Sequence, residues 1–205
     1  MTTGEDGSTA GGHPRGKVVR PPASLRAFSV AATATIAVGL ILTATTVGLA
    51  FAYASRISVI HDIADQQATP SQIRNADRYV TWLYYATLAM SVAWIVAALM
   101  TSKRTMRMLG IEGGDARDQR RRYGEVLQGQ PDWKLYGWWQ KSIQVYFLVT
   151  VLLRLVIPTT NTGTLAYVES VSRRGMILNI IDVVLLVAIT VLGWRAKVAV
   201  ESTAA

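Results

Sequence analysis

Two ionisable residues, Arg154 and Asp182, lie inside stretches of sequence that are otherwise almost free of charge. A charged group in the hydrocarbon of a bilayer costs about 2.5–3.5 kcal/mol on insertion scales, so such groups pair with one another or line a path for a substrate or an ion. At 1.5 Å per residue, Arg154 is about 6 Å and Asp182 roughly 10–12 Å from the same end of two consecutive helical segments. An arginine side chain bridges this difference, and we predict an Arg154–Asp182 ion pair.

Polar side chains at helical spacing accompany this pair. Thr150 is four residues before Arg154, and Asn179 is three residues before Asp182, so each shares a helical face with its charged neighbour. Two residues of another helix complete the predicted intramembrane polar cluster, Tyr84 and Thr87. The cluster is either a site for a substrate or an ion, or a structural ion pair with hydrogen-bonding neighbours that fixes the helix register. We favour the structural interpretation.

Four apolar segments position these residues. Two are uninterrupted runs of 29 and 24 uncharged residues, each longer than the ~20 apolar residues that cross a bilayer. The third begins with Trp138-Trp139, an aromatic pair typical of a membrane interface, and the fourth holds Asp182. The predicted fold is all-α: a polytopic integral membrane protein with four transmembrane helices in an antiparallel bundle. The predicted spans are about 29–53, 79–102, 138–158 and 175–194.

The chain has 205 residues, 51% of them hydrophobic and 17% charged, with a net charge of +8. Such an excess of basic residues is typical of proteins that bind nucleic acids. Sorted by segment, however, fifteen basic residues fall before the first span, around the 103–137 loop and at the C-terminus, against six on the opposite face. The positive-inside rule then places both termini in the cytoplasm (N-in/C-in) of a plasma membrane protein. We interpret the excess positive charge as a signal that orients the protein in the bilayer, with the basic residues in contact with anionic lipid headgroups. We expect no nucleic-acid partner.

The segments outside the spans are short. Residues 1–25 are rich in Gly, Ser, Thr and Pro and predict a disordered cytoplasmic arm, followed by a transmembrane domain over 26–200 and a tail over 201–205. We expect Ser24 to cap the first helix and the cytoplasmic loop 103–137 to carry one short helix after Asp115. Three further expectations concern the loops that face outwards. The first helix runs to about Gln66, Thr69-Pro70-Ser71 begins the second, and the 158–174 loop holds one helical turn.

Two surface patterns leave alternatives open. Basic residues cluster in the cytoplasmic loop at Arg117, Arg120, Arg121 and Arg122. These arginines either bind anionic lipid headgroups or form salt bridges with the acidic residues between them on a solvated helix. Small residues form a helix packing seam in the first span at Thr35, Gly39, Thr43 and Gly48. We favour packing within the chain, the alternative being a face for a homo-oligomer or other membrane subunits.

We identify no catalytic residue, no cofactor-binding site and no metal site in the sequence. Cysteine is absent, no predicted span contains a histidine for haem ligation, and His61 with Asp62 and Asp65 is weak evidence for a metal. These observations favour a small accessory or interaction subunit of the membrane. The alternatives are a small oligomeric transporter or channel that uses the outward-facing polar cluster around Arg154 and Asp182, and a membrane enzyme.

The order of features resembles an actinobacterial four-span membrane family, domain of unknown function 4328. The resemblance covers roughly residues 25–200. It rests on the Ala76-Asp77 pair that ends the first polar loop, the basic stretch KRTMRML at 103–109, Trp138-Trp139 at the start of the third span, and basic residues after the last. The resemblance implies a high-GC Gram-positive source and no particular reaction.

Overall fold

A computed structural model describes residues 22–111, 115–129, 131–156 and 164–204 of the chain, without the side chains of 22–24, 128, 131, 132, 151, 153–156, 203 and 204. Within these ranges the fold is all-α, as predicted, and comprises α1 (Pro22–Ala64), α2 (Pro70–Met108), α3 (Ala116–Gly129), α4 (Pro131–Val156) and α5 (Leu165–Ala204). The predicted disordered arm falls, for residues 1–21, outside the described residues, as does the predicted end of the third span at Pro158.

Among the residues that the structure describes, three helices are long and apolar enough to cross a membrane, judged by length and composition: Leu25–Ala64, Pro70–Met108 and Leu165–Ser202. These helices support the prediction of a membrane protein. The 43 residues of α1 extend about 64 Å at 1.5 Å per residue. Because the hydrocarbon of a bilayer is only about 30 Å thick, these helices continue well beyond it.

Local signals in the sequence explain where the helices stop and start. The predicted start of α2 at Thr69-Pro70-Ser71 is confirmed, and Thr69 is its N-cap in a capping box, in which the Thr69 backbone N–H donates to Gln72 Oε1 at 2.7 Å. α2 ends in a Schellman motif at Gly110, whose φ of 69° suits glycine, and Ile111 N–H donates to Met106 O at 2.9 Å. The same motif ends α1, with Gln66 in the left-handed region at φ 60°.

Three helices begin earlier than predicted. α1 starts at Pro22, so Ser24 lies in its first turn and is not its cap; α4 starts at Pro131, before Trp138; and α5 starts at Leu165, ten residues before Gly175. The segment predicted to hold one helical turn therefore contributes more than two turns to α5. The reason is physical: loss of apolarity marks the edge of the hydrocarbon, whereas a helix continues while its backbone hydrogen bonds remain satisfied.

The helix α1 lies at the centre of the packing, with α2 along one side and α5 along another; α4 packs on α5 and also touches α2, and α3 packs on α4. Contacts move in opposite directions along α1 and α2, from Thr35–Thr101 to Arg56–Asp77, so these neighbours are antiparallel. The contacts between α1 and α5, and those between α2 and α4, also run in opposite directions, so these pairs of helices are antiparallel as well.

The two ends of the packed helices differ. At one end, here called the α3 end, an aromatic core joins all four long helices through Phe28, Met108, Trp133 and Val200. The first turns of α1 and the last turns of α5 therefore meet at the same end. The opposite end, here called the His61 end, holds the loop between α1 and α2 and the beginning of α5.

Buried hydroxyl groups are mostly satisfied inside their own helices. The side chains of Thr46, Thr87 and Ser91 each donate to the backbone carbonyl four residues earlier, at 2.7–2.8 Å. In hydrocarbon an unsatisfied hydroxyl costs several kcal/mol, so this arrangement lets polar side chains lie in the core without partners on other helices.

Candidate functional site

The charged residue Asp182 lies on the buried face of α5. It is 9% exposed, and Asn179, one turn earlier on the same face, is also buried. The Asn179 side-chain amide donates to Gly175 O at 2.7 Å, so this amide is satisfied within α5. The structure thus places these two predicted cluster residues side by side in the core.

The contact between Trp139 and Gly193 aligns α4 with α5. The indole lies directly on Gly193, where a Cβ atom would be 2.5 Å from Trp139 Nε1. Thr150 is eleven residues after Trp139 and Asp182 eleven before Gly193, so in antiparallel helices these two residues are level. Thr150 is 3% exposed, and among the described residues its hydroxyl has no hydrogen-bond partner. Arg154 is one turn further along α4, and its side chain lies outside the described residues, so the predicted ion pair stays a prediction.

A threonine of α1 lies at the same level. Gly39 of α1 packs on Thr190 of α5, where a Cβ on the glycine would be 3.3 Å from the threonine Oγ1. Thr46 is seven residues after Gly39, and Asp182 is eight residues before Thr190. In antiparallel helices, Thr46 and Asp182 therefore lie at the same depth to within one residue. Thr46 is fully buried and was not predicted from the sequence.

The α2 helix places Thr87 at the same depth. Arg56 of α1 and Asp77 of α2 form an ion pair and are therefore level. Thr46 is ten residues before Arg56 and Thr87 is ten residues after Asp77, so in these antiparallel helices the two threonines are level as well. Each of the four long helices thus places one buried polar residue at a single depth, and we call these residues the polar layer: Thr46, Thr87, Thr150 and Asp182. Tyr84, by contrast, packs among apolar side chains of α1 and α2. The layer has the composition to hold a water or a cation, although three of its four members are threonines.

The predicted packing seam of α1 faces helices of the same chain. Thr35 is buried and its hydroxyl lies 2.8 Å from that of Thr101. A Cβ on Gly39 would be 3.0 Å from Trp94 Nε1, and one on Gly48 would be 3.5 Å from Leu83. Thr43 is half-buried and donates to Gly39 O. These contacts agree with the interpretation of packing within the chain and leave the oligomer interpretation open.

A second polar group at the α3 end was missed by sequence analysis. The Thr105 hydroxyl donates to Tyr136 Oη at 2.9 Å, Gln140 Nε2 donates to the same oxygen at 3.1 Å, and Ser102 donates to Gln140 at 2.9 Å. Tyr123 of α3 extends towards this group, and burial raises the pKa of its hydroxyl. The group links α2 and α4, which suits a structural role.

The four basic residues predicted to contact headgroups or partners, Arg117, Arg120, Arg121 and Arg122, are all exposed on α3. Arg121 Nε lies 3.7 Å from Glu125 Oε1, a distance typical of a weak surface pair. Both interpretations of this cluster therefore stay open.

At the His61 end, an ion pair joins α1 to α2, and a side-chain contact between His61 and Glu169 joins α1 to α5. Buried Arg56 of α1 contacts Asp77 of α2 at 2.9 Å. One carboxylate oxygen of Glu169 on α5 accepts from Arg173 Nη2 at 2.7 Å and lies 3.3 Å from His61 Nε2 of α1. We call His61, Glu169 and Arg173 the His61 cluster. These contacts hold the ends of three helices together beyond the apolar segments.

A cavity of about 190 Å³ lies between these three helix ends, and we call it the crown cavity. Its walls are mainly branched apolar side chains, and the Arg56–Asp77 pair adds charge at one side. The full lining is Arg56, Val59, Ile60, Ile63, Ile73, Ala76, Asp77, Leu165 and Val168. An apolar cavity with a few polar groups, placed outside the charge-free segments, is the usual form of a binding site for an apolar group.

The electrostatics of the His61 cluster predict a pH dependence. The hydrogen bond from Arg173, followed by that from His61, holds the pKa of Glu169 below its ordinary value of 4.5. Because the pKa is lower in the folded state, the stabilisation is complete above 4.5 and is lost as the pH falls through the folded-state pKa. We expect Glu169→Gln to abolish this acid-induced loss of thermal stability, measured as unfolding midpoints between pH 7 and pH 3. Glu125→Gln on exposed α3 is the matched control and should keep the wild-type profile; a Glu169→Gln profile identical to wild type would contradict the assignment.

No group of three or more metal-ligating side chains occurs among the described residues. Comparisons with protein-family models, with curated proteins and with solved structures find no match to this chain.

Proposed function

We propose that the chain is a four-span protein of the plasma membrane, with both termini in the cytoplasm, that serves as an accessory or interaction subunit. Its membership of the actinobacterial family that it resembles is part of the same proposal. The observation that carries the function is the crown cavity, a mainly apolar recess between the ends of three long helices, with the Arg56–Asp77 ion pair in its wall.

The path of the chain supports α4 as the fourth span. α4 begins at the α3 end, where Tyr136 accepts from Thr105, while α5 begins at the His61 end, where Glu169 contacts His61. If α1, α2 and α5 cross the bilayer, the chain between α2 and α5 must cross as well, and α4 is the segment that does so. Its outward face supports this, since it exposes apolar side chains as a lipid-facing helix does: Val145, Leu148, Val149 and Leu152.

The orientation follows from the charge distribution. The α3 end carries fifteen of the basic residues in its flanking segments, and the positive-inside rule assigns that end to the cytoplasm. The crown cavity then faces outwards. A partner that inserts a branched apolar side chain into it would meet walls of Ile60, Ile63 and Ile73, and the guanidinium of Arg56 and the carboxylate of Asp77 would fix its orientation.

Single cysteines test orientation and partner binding together, because the chain contains no cysteine of its own. With a membrane-impermeant thiol reagent, we expect Ser71→Cys to react in intact cells and Gly124→Cys to react only after permeabilisation. We expect Ile63→Cys, in the cavity wall, to be protected in native membranes and to react once the protein is purified. Ser71→Cys, exposed on α2 outside the cavity lining, is the control and should react equally in both states.

Two outcomes would contradict the proposal. Labelling of Gly124→Cys in intact cells would reverse the orientation. Equal labelling of Ile63→Cys in native membranes and in purified protein would mean that nothing occupies the crown cavity.

The polar layer favours one second candidate, a small oligomeric transporter or channel. The specific observation is the Thr150 hydroxyl, which is buried, level with Asp182, and without a partner among the residues that the structure describes. A water-filled path would make Thr150→Cys reactive towards a soluble thiol reagent in the folded protein. A dry structural layer leaves that cysteine unreactive, and this is the result we expect.

A further inference from the structure

An apolar groove runs along the outer surface between α1 and α5, on the half of the helices nearer the His61 end. Its volume is about 270 Å³, and every residue that lines it is apolar: Val47, Ala50, Phe51, Ala54, Met176, Ile180, Val183 and Val184. The groove exists because Ala50 and Ala54, one turn apart on α1, leave space that larger side chains would fill. Phe51, 72% exposed, stands at its edge.

The position of the groove matches the acyl region of a leaflet. Ala54 lies two residues before Arg56, where the charge-free segment of α1 ends. From Val47 to Ala54 the groove extends about 10 Å along the helix at 1.5 Å per residue. It therefore begins at the edge of the hydrocarbon and runs towards the middle of the bilayer.

The His61 cluster lies directly above this groove. Arg173 precedes Met176 by three residues and Ile180 by seven, and His61 follows Ala54 by seven, so both lie on the helical faces that form the groove. The heights also agree, since the headgroup region begins where the hydrocarbon ends. Arg173 and His61 are both more than half exposed, so a headgroup can reach them.

The hydrogen bonding of Glu169 indicates which headgroup fits. Its contacts with His61 and with Nε and Nη2 of Arg173 all use the same oxygen, Oε1. The other oxygen, Oε2, accepts from no residue within the described ranges. The cluster thus offers an acceptor for a primary ammonium group beside an exposed guanidinium for a phosphate, which is complementary to a zwitterionic phosphoethanolamine.

We propose that the groove between α1 and α5 binds an acyl chain of a phospholipid with an ethanolamine headgroup, whose ammonium contacts Glu169 and whose phosphate contacts Arg173. Phosphatidylcholine lacks an N–H donor for Glu169, and phosphatidylglycerol lacks the amine altogether. The structure therefore assigns a preference among lipids that share the same acyl chains.

Native mass spectrometry of the full-length protein tests this, with phosphatidylethanolamine, phosphatidylcholine and phosphatidylglycerol of identical acyl chains supplied at equal concentration in detergent. We expect the wild type to retain phosphatidylethanolamine about twofold to fivefold more than the other two lipids, the range for one partly exposed charge pair. Glu169→Gln should abolish the preference over phosphatidylcholine and, because Arg173 loses its acidic neighbour, favour phosphatidylglycerol.

Filling the groove tests the acyl site separately. Ala54→Leu should reduce retention of all three lipids, whereas Ala34→Leu, at an exposed alanine near the other end of α1, should leave retention unchanged. Equal retention of the three lipids by the wild type would overturn the proposal. So would an Ala54→Leu variant that is folded by its thermal unfolding midpoint and still retains lipid as the wild type does.

Discussion

Replacing Gly193 with alanine is expected to destabilise the protein by about 1–3 kcal/mol, the usual cost of overpacking a core. The added Cβ would lie 2.5 Å from Cε2 and Nε1 of Trp139, which is far inside van der Waals contact. The Trp139 side chain is buried against Tyr136 and cannot swing into open space, so α4 and α5 must separate or the indole must change rotamer. The measurement is the unfolding midpoint of the purified protein in detergent.

Gly124→Ala is the matched control, because its Cβ would meet open space, with no packed neighbour within 4 Å beyond the adjacent residues and the backbone of its own helix. Alanine is the better helix former, so this variant should be as stable as wild type or slightly more stable. Gly193→Ala combined with Trp139→Leu should recover part of the loss, since the smaller side chain leaves room for the methyl group. A Gly193→Ala variant that melts like wild type would mean that the α4–α5 contact is looser than the structure indicates.

Asp182→Ala is expected to have the second large effect, with a loss of about 3–5 kcal/mol if it strips a buried ion pair of one partner. Asp182 is buried in the core of α5, and we predict that Arg154 of α4 is its partner. If Arg154 is the partner, removal of Asp182 alone leaves its guanidinium without a counter-charge in the bilayer, so folded protein should accumulate poorly in the membrane. Arg154→Ala should do the same by leaving the carboxylate without its cation.

The double variant decides whether the two residues act as a pair. If they do, Arg154→Ala with Asp182→Ala removes both charges together and should accumulate better than the worse single variant. The measurement is the fraction of monodisperse protein recovered by size-exclusion chromatography after expression at equal levels. A double variant that accumulates no better than the worse single variant would refute the pairing.

The sequence predicts the helices better than it predicts their ends. Long apolar stretches indicate the three apolar helices, Thr69-Pro70 marks the start of α2, and Asp115 precedes α3 as expected. The early starts of α4 and α5 were not predicted, because the first turns of these helices lie outside the long apolar stretches and carry no continuous apolar run. A hydropathy pattern reports the solvent around a helix, whereas helix length depends on capping and on contacts with neighbours.

Contacts between helices are harder to predict than the helices themselves. The Arg56–Asp77 pair could have been predicted from the sequence. The two residues are nearly symmetric about the turn at Gln66, and a hairpin of two helices brings them to the same height. The group around Tyr136 could not have been predicted, because the hydrogen bond from Thr105 depends on how α2 and α4 are rotated about their axes. Such rotations are set by side-chain packing that a single sequence does not display.

The internal hydrogen bonds of the buried threonines bear on how the protein is assembled. Because Thr46 and Thr87 donate to carbonyls of their own helices, each helix enters the bilayer with these hydroxyls already satisfied. Insertion then needs no neighbouring helix to be present, and lateral association follows as a second stage driven by close packing at residues such as Gly39 and Gly193. We therefore expect the helices to insert into the bilayer first and to associate with one another afterwards.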